Sequence, residues 1–113
     1  MESQPVIAIR LTQCESELEE KFNRWYDEVH IPLFLKSKWL DRVTRYQLMS
    51  DEEKAPKYLA IYEFKDQQAY EAYVSSPEFA AALENKKETW REESYELTIS
   101  AAYRPIRSWQ KSS

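Results

Sequence analysis

His30, the single histidine of the sequence, is the side chain best suited to acid–base chemistry. It lies in the run Trp25-Tyr26-Asp27-Glu28-Val29-His30-Ile31-Pro32-Leu33, and in a helix Tyr26 and Asp27 would lie within about one turn of it. The negative end of the helix dipole and the Asp27 carboxylate both favour the protonated ring, which predicts a pKa suited to general acid or base catalysis. The alternative is that His30 only caps the carbonyl groups at the end of this helix.

Aromatic side chains form the second candidate group, and most of them carry a phenol. If one face of a strand looks into a cleft beneath the first helix, such rings would line an apolar pocket with a few hydroxyl groups in its wall. The alternative is ordinary packing in the core or in an interface between chains. The rings concerned are Trp25, Tyr26, Tyr46, Tyr58 and Tyr62.

Arg45 and Glu63 are charged residues inside segments that are otherwise apolar or alternating. Each suits one half of an ion pair between neighbouring strands. Arg45 also has the fixed charge needed to hold a carboxylate or an enolate. Glu63 shares its side of the segment with Leu59 and Ile61, so its carboxylate should be paired or should have a raised pKa.

Residue counts exclude several kinds of site. The sequence contains no glycine, which excludes the glycine-rich loops of classical NAD and ATP sites. Cys14 and His30 are the only cysteine and histidine, which excludes an internal disulfide, a thiolate metal cluster and a multi-histidine metal site within one chain. We therefore expect no cofactor and no metal, and we expect Cys14 to be a small buried residue rather than a nucleophile.

Charge and hydropathy indicate the partners and the compartment. The net charge is −4 with scattered Lys and Arg, which argues against nucleic acid because phosphate binding requires a clustered positive surface. The chain lacks an uninterrupted apolar run of the ~18 residues that a membrane helix needs, and residues 1–5 do not resemble the start of a signal peptide. We expect no membrane partner and, with a lone cysteine that suits reducing conditions, a cytoplasmic protein.

The length of 113 residues and the absence of a break in composition predict a single domain over residues 1–113, and hydrophobic periodicity predicts its helices and strands. Ser16, Asp66 and Ser76 are predicted helix caps, and Pro77 follows Ser76 at the first helical position. The predicted strands are 6–11, 41–49, 57–64 and 95–103, and the predicted helices are 16–30, 66–74 and 76–90.

Two proline-containing segments complete this prediction. Pro32 disfavours the helical conformation at Ile31, so the first helix should stop near His30, with Phe34 in a further turn that folds back over the core. The tail 105–113 carries Ile106 and Trp109, which are expected to pack against the protein rather than remain in solvent.

The order β-α-β-β-α-β predicts an α+β protein with a ferredoxin-like, four-stranded antiparallel sheet and its helices on one face. Strands three and four place bulky or apolar residues on both sides, and a monomer rarely exposes a continuous apolar surface of more than roughly a few hundred Å². A second copy related by two-fold symmetry should therefore cover the open face, giving a homodimer. The alternative is a monomer whose tail folds under the sheet.

Four segments occur in an order found in one known superfamily, namely Trp25-Tyr26-Asp27-Glu28-Val29-His30-Ile31-Pro32-Leu33, Arg45-Tyr46, Tyr58-Leu59-Ala60-Ile61-Tyr62-Glu63 and Ser75-Ser76-Pro77-Glu78-Phe79. The chain thereby resembles the EthD-like branch of the dimeric α+β barrel superfamily over nearly its whole length. The resemblance implies two sheets that meet to form a barrel, and a pocket between sheet and helices that His30 lines. Such proteins often have Pro-Gly before strand two, where this chain has Ser37-Lys38-Trp39, so this turn should be reshaped or strained.

The superfamily that the sequence resembles includes cofactor-free isomerases, polyketide cyclases and dehydratases, quinone-forming monooxygenases and haem-degrading enzymes, and the fold alone does not choose among them. One histidine, several phenols and an arginine suit proton transfer at a carbon beside a carbonyl. We therefore favour a cofactor-independent enzyme of the lyase, isomerase or cyclase type acting on a small aromatic or polyketide-like molecule. In this scheme His30 takes or gives the proton, and Asp27 orients the His30 imidazole. Tyr46 or Tyr62 donates a hydrogen bond to the enolate oxygen.

The expected substrate-binding residues are Trp25, Tyr26, Phe34, Arg45, Tyr58 and Glu63. Two other hypotheses remain open. One is a cofactor-free monooxygenase in which His30 deprotonates an electron-rich phenol that then reacts with oxygen. The other is a non-enzymatic dimer that binds haem or a small metabolite, with His30 as axial ligand or structural cap.

Overall fold

The computed structural model describes residues 5–50, 55–90 and 95–112. Within them the predicted order β-α-β-β-α-β is confirmed, with each helical region divided into two α-helices. None of the described helices is long and apolar enough to span a membrane. The strands are β1 (Val6–Cys14), β2 (Leu40–Gln47), β3 (Tyr58–Phe64) and β4 (Tyr95–Tyr103), and the helices are α1 (Glu19–Trp25), α2 (Ile31–Phe34), α3 (Gln67–Val74) and α4 (Pro77–Thr89).

The strands form one antiparallel sheet in the order β2-β3-β1-β4, which confirms the ferredoxin-like arrangement. Alternation along β3 is regular, because Tyr58, Ala60, Tyr62 and Phe64 are buried and the residues between them are partly exposed. The register places Arg45 opposite Ala60, and therefore on the face that the helices cover. The neighbouring side chain, Tyr46, belongs to the other face.

The first helical region does not stop near His30, which corrects the expectation based on Pro32. A 3-10 turn (Ser16–Leu18) leads into α1, a π turn (Tyr26–His30) follows, and Pro32 lies in the first turn of α2. Ile31 keeps helical angles (φ −63°, ψ −44°) and donates its N–H to the carbonyl of Tyr26, five residues back. The wider turn shifts the hydrogen-bond register by one residue, so the N–H that proline lacks is not required.

The sequence predicts that the turn before β2 is either reshaped or strained, and the structure shows a turn without strain from a positive φ. No described residue has a positive φ, so Lys38 avoids the conformation that glycine would favour. Ser37 is buried, donates its N–H to the Phe34 carbonyl at 3.1 Å, and accepts a hydrogen bond on Oγ from the Trp39 N–H at 3.3 Å.

Two predicted caps are present and one is absent. Asp66 Oδ1 accepts from the Ala69 N–H at 2.8 Å, and Ser76 Oγ accepts from the Phe79 N–H at 3.2 Å. Ser16 instead lies inside the 3-10 turn, which starts without a side-chain cap. Asp66 and Ser76 therefore cap α3 and α4 at the predicted positions. Each side chain satisfies an N–H group that the first turn of its helix leaves unpaired.

The C-terminal tail does not cover the sheet. The structure assigns neither helix nor strand to residues 104–112, and Ile106 and Trp109 are 100% and 78% exposed. This corrects the expectation that the two side chains are packed, and it removes the tail as cover for the open face within one chain.

The Arg45 guanidinium connects the first helical region to the sheet. It donates hydrogen bonds of 2.8 Å to Asp27 Oδ1 and to Asn23 Oδ1, and it lies 4.6 Å from the centroid of the Tyr26 ring. Because the Arg45 side chain is only 19% exposed, these charge-assisted contacts are partly shielded from water. They fix the height of the helix above β2.

Replacement of Arg45 by methionine should lower the free energy of unfolding by about 1–2 kcal/mol, because two acceptors lose their shared donor. The matched control is Arg42→Met on the same strand, since the Arg42 guanidinium lies 3.6 Å from Glu63 with its side chain 72% exposed. This control should cost less than about 0.5 kcal/mol. Urea unfolding followed by circular dichroism measures both, and equal losses would contradict the structural role of Arg45.

Candidate functional site

A pocket of about 80 Å³ lies between β1, the first helical region and α4. His30 is in its wall, at the end of the π turn, so the π turn presents the imidazole to this space rather than to bulk water. The pocket lies on the helix-covered face of the sheet. Its lining residues are Arg10, Thr12, Tyr26, His30, Phe34, Leu83 and Lys86.

Aromatic rings hold the imidazole on three sides. Trp25 stacks on it with ring centroids 4.5 Å apart and planes 19° apart, while Tyr26 and Phe34 approach with their edges at 5.0 and 4.7 Å. Trp25 is itself fixed by a 2.8 Å hydrogen bond from its Nε1 to Thr89 Oγ1 on α4. The ring of His30 therefore has one defined position, which is what a catalytic group requires.

His30 is uncharged over the working pH range, which corrects the expectation of a protonated ring. Burial, followed by the positive charges of Lys86 and Arg10, lowers the pKa of His30 to about 3. Asp27 does not orient it, because the Asp27 carboxylate accepts from Arg45 instead. His30 makes no hydrogen bond within the described part of the chain, and its Nδ1 is buried without a partner.

Two phenols extend from the pocket into the core. The hydroxyl groups of Tyr26 and Tyr62 lie 3.4 Å apart, and both side chains are buried. Burial, and then the neighbouring Tyr26, raise the pKa of Tyr62 well above its ordinary value. The Tyr62 hydroxyl therefore keeps its proton at neutral pH, whereas Tyr26 is the one of the two that lines the pocket.

Other predicted site residues lie outside the pocket. Tyr58 lies beneath α1, where its hydroxyl donates to Glu19 Oε2 and accepts from Asn23 Nδ2, both at 3.1 Å. Together with Arg45 and Asp27 it belongs to the contacts between helix and sheet, so the structure does not bring these three side chains into the pocket wall, and their predicted site roles stay predictions.

Tyr46 and Glu63 point away from the helices. Tyr46 is 51% exposed on the open face, and Glu63 is paired across the strands with Arg42 at 3.6 Å. Since successive side chains of a strand alternate between faces, neither reaches the His30 pocket of its own chain. The structure therefore does not bring Tyr46 or Glu63 into the lining of this pocket, and the roles predicted for them stay predictions.

Sequence reasoning missed Arg10 and Lys86, although both had a visible signal. Arg10 interrupts the buried alternation of Val6, Ala8 and Thr12 along β1, where a charge is unexpected. Lys86 falls on the inward stripe of α4 and is partly buried. A positively charged residue at a core position of a strand or helix was therefore a better sequence signal of this pocket than the tyrosine residues were.

A larger cavity of about 490 Å³ lies near α3 and the end of β4. We place the chemistry in the smaller pocket, because it contains the buried imidazole without a partner. In the described residues, no group of three or more His, Cys, Asp or Glu side chains is arranged to hold a metal ion. The larger cavity is lined by Val6, Gln67, Tyr70, Glu71, Ala102, Tyr103, Arg104 and Ile106.

The depressed pKa of His30 predicts a characteristic pH dependence of stability. Unfolding restores the ordinary pKa of 6.5, so between pH 6.5 and about 3 the unfolded chain binds the extra proton. The stabilisation is complete above pH 6.5 and is lost as pH falls toward 3, by up to about 1.4 kcal/mol per pH unit. The measurement is urea unfolding of wild type and His30→Gln between pH 4 and 8; parallel pH profiles would show that His30 titrates normally in the folded protein.

Known structures share this fold at low sequence identity. An EthD family protein from Bacillus halodurans superposes with a TM-score of 0.70 at 14% identity, covering 90% of this chain and 99% of that one. A monooxygenase-like protein from Shewanella loihica gives 0.61 at 16% identity, covering 94% and 98%. A dimeric ferredoxin-like protein of unknown function from Thermobifida fusca gives 0.57 at 10% identity, covering 93% and 94%.

At such identities the likeness shows the fold alone, and it agrees with the predicted ferredoxin-like α+β fold. No curated protein sequence matches the chain. A family model described as a domain of unknown function, DUF4286, matches residues 9–97, which include most of β1, all of β2 and β3, all four helices and the His30 pocket. The chain therefore belongs to the DUF4286 family.

Proposed function

We propose that the protein is a cofactor-independent enzyme that moves a proton at a carbon beside a carbonyl group, with His30 as the acid–base residue. One observation carries the proposal, namely a buried imidazole that has no hydrogen-bond partner in the described chain and forms the wall of a pocket. A histidine needed only as a helix cap would donate to a backbone carbonyl, and this one does not. The isomerase, cyclase or lyase outcome then depends on where the proton returns.

The residues around the pocket support a simple sequence of steps. The neutral imidazole takes a proton from the carbon, and the C–H electron pair moves to the carbonyl oxygen to form an enolate. The Tyr26 hydroxyl donates a hydrogen bond to that oxygen, while Tyr62 supports Tyr26 from 3.4 Å behind. The imidazolium then returns its proton to the same or another carbon, or to a leaving oxygen.

Pocket size limits the part of the substrate that is enclosed. A volume of about 80 Å³ is small beside the ~300–1,000 Å³ of ordinary ligand sites, so it holds the reacting end of a molecule only. An aromatic or polyketide-like remainder would lie at the mouth, near the exposed Leu83. A porphyrin is far too large for this space, so we do not propose His30 as a haem ligand.

The open face of the sheet supports a homodimer. Its register places Ile7, Ile9 and Ile61 side by side, and Ile99 and Tyr103 of β4 extend the same surface while 43% and 50% exposed. A continuous apolar surface of this kind is usually covered by a partner, and a second copy is the simplest one. The similar protein from Thermobifida fusca is described as dimeric.

One observation favours a second candidate, a cofactor-free monooxygenase. The similar structure from Shewanella loihica is monooxygenase-like, and a base next to an apolar pocket would also deprotonate a phenol. Enzyme-dependent consumption of dissolved oxygen with an electron-rich phenol such as 1,4-dihydroxynaphthalene would favour this candidate over proton transfer.

Exchange of deuterium into carbonyl compounds tests the catalytic proposal. Phenylpyruvate and phenylacetone share an acidic benzylic C–H beside a carbonyl, and proton NMR in D₂O follows the loss of that signal. Wild type should accelerate exchange of at least one probe, and His30→Gln should reduce the acceleration about a hundredfold to ten-thousandfold. Tyr46→Phe, on the opposite face, should leave the rate unchanged. Absence of enzyme-dependent exchange, or exchange that survives His30→Gln, would contradict the proposal.

The oligomeric state has its own test. Light scattering after size exclusion should give twice the mass of one chain, and Ile61→Lys should reduce it to the monomer because a charge would be buried in the interface. Val74→Lys, at an exposed apolar position on α3, is the matched control and should remain dimeric. A wild-type monomer, or a folded dimeric Ile61→Lys protein, would refute the dimer.

A further inference from the structure

Two cationic side chains reach the His30 pocket from different elements. Arg10 enters from β1 and Lys86 from α4, and both line the same small volume. Burial and then the Arg10 charge lower the pKa of Lys86, so the two positive charges lie within electrostatic range of each other. The described residues that line the pocket include no carboxylate.

Arg10 is held in place without being neutralised. Its guanidinium donates a hydrogen bond to Ser100 Oγ on β4 and lies 5.8 Å from the centroid of the Tyr62 ring. Among the described residues, no acidic side chain forms an ion pair with Arg10. A hydroxyl and a ring orient the guanidinium but leave its charge available, whereas the other inward arginine, Arg45, is paired with Asp27.

Like charges beside a buried imidazole are unfavourable in the empty pocket. They lower the pKa of His30 and disfavour protonation of Lys86, so the protein carries an electrostatic cost at this point. A bound anion would relieve that cost. The imidazole of His30 lies in the same wall, and its Nδ1 is buried without a hydrogen-bond partner in the described residues.

We propose that the pocket binds the carboxylate of an organic acid, with the planar guanidinium of Arg10 on its oxygens and the Lys86 ammonium as a second positive charge. Arg10 suits this role because its fork of N–H donors matches a carboxylate bidentately. The inference rests on the proposed function, since it assigns the substrate class of the same pocket. The substrate is then a carboxylate whose reacting carbon lies beside a carbonyl, such as a 2-oxo acid.

Carboxylate binding also explains how a histidine with so low a pKa accepts a proton. Among the described residues, the charged groups that face the imidazole are Arg10 from β1 and Lys86 from α4, and the Tyr26 hydroxyl faces it from its own helical region. A bound carboxylate offsets both cations, so the ring becomes more basic only when the substrate is present. The same charges then stabilise the enolate that proton removal creates.

Calorimetric binding of benzoate and benzamide tests this inference without any turnover. The two probes have nearly the same shape and differ in charge, so wild type should bind benzoate at least about tenfold more tightly than benzamide. Equal binding of the two probes would overturn the proposal. Inorganic phosphate is the third arm, and phosphate binding tighter than benzoate binding would overturn the assignment to a carboxylate.

Variants locate the anion site. Arg10→Gln and Lys86→Gln should each weaken benzoate binding at least about tenfold, because each removes one charge. Lys87→Gln is the matched control, since Lys87 is the next residue on α4 but is 77% exposed and pairs with Glu84 at 3.8 Å. If Arg10→Gln does not fold, Arg10→Lys and Lys86→Gln carry the test. Benzoate binding unchanged in folded Arg10 and Lys86 variants would refute the site.

Failure of this inference is distinguishable from failure of the proposed function. His30-dependent exchange of phenylacetone as fast as that of phenylpyruvate would leave the acid–base function standing and overturn the carboxylate assignment. Charge-dependent binding of benzoate together with exchange that ignores His30 would establish the anion site and refute the catalytic role.

Discussion

The site depends on one electrostatic constraint, an uncharged imidazole enclosed by aromatic rings next to two cations. Trp25 and Phe34 exclude water from His30, which lowers the pKa of the ring, and Arg10 and Lys86 lower it further. The arrangement is unfavourable for a positive ring and favourable for a negative ligand. Under the proposed function, chemistry in this pocket is coupled to the charge of the molecule that binds there.

The fold maintains this constraint through elements that have no part in the chemistry. The π turn carries His30 into the wall of the pocket and lets the chain continue through Pro32. Arg45 holds the helical region at a fixed height above β2. Trp25 is anchored to Thr89 on α4, the helix that also supplies Lys86, so both sides of the pocket are tied together.

Much of the architecture could be predicted because it follows from local rules. Strict alternation identified β3, and a polar residue before each helix identified the caps at Asp66 and Ser76. The inward direction of Arg45 and the outward direction of Tyr46 follow from the same period of two, once the register is known. The position of His30 in a pocket wall was implied by the resemblance to EthD-like proteins and not by local periodicity.

What could not be predicted depends on contacts between distant residues. Pro32 signals a helix end locally, and only packing of the surrounding rings decides that a π turn absorbs it. His30 lies within reach of Asp27 along the same helical region. The Asp27 carboxylate nevertheless accepts a charge-assisted hydrogen bond from Arg45 on the sheet. Arg10 and Lys86 are far apart in sequence, and their shared pocket exists only after β1 and α4 have packed.

Nitrogen-15 NMR of the single histidine tests the central arrangement most directly, because its two ring nitrogens report charge and tautomer separately. At pH 5, where an ordinary histidine is mostly charged, His30 should be neutral in the free protein and should shift toward the protonated form on addition of benzoate. An imidazolium at pH 5 without ligand, or a spectrum that does not respond to benzoate, would contradict the enclosed neutral imidazole and its coupling to an anion.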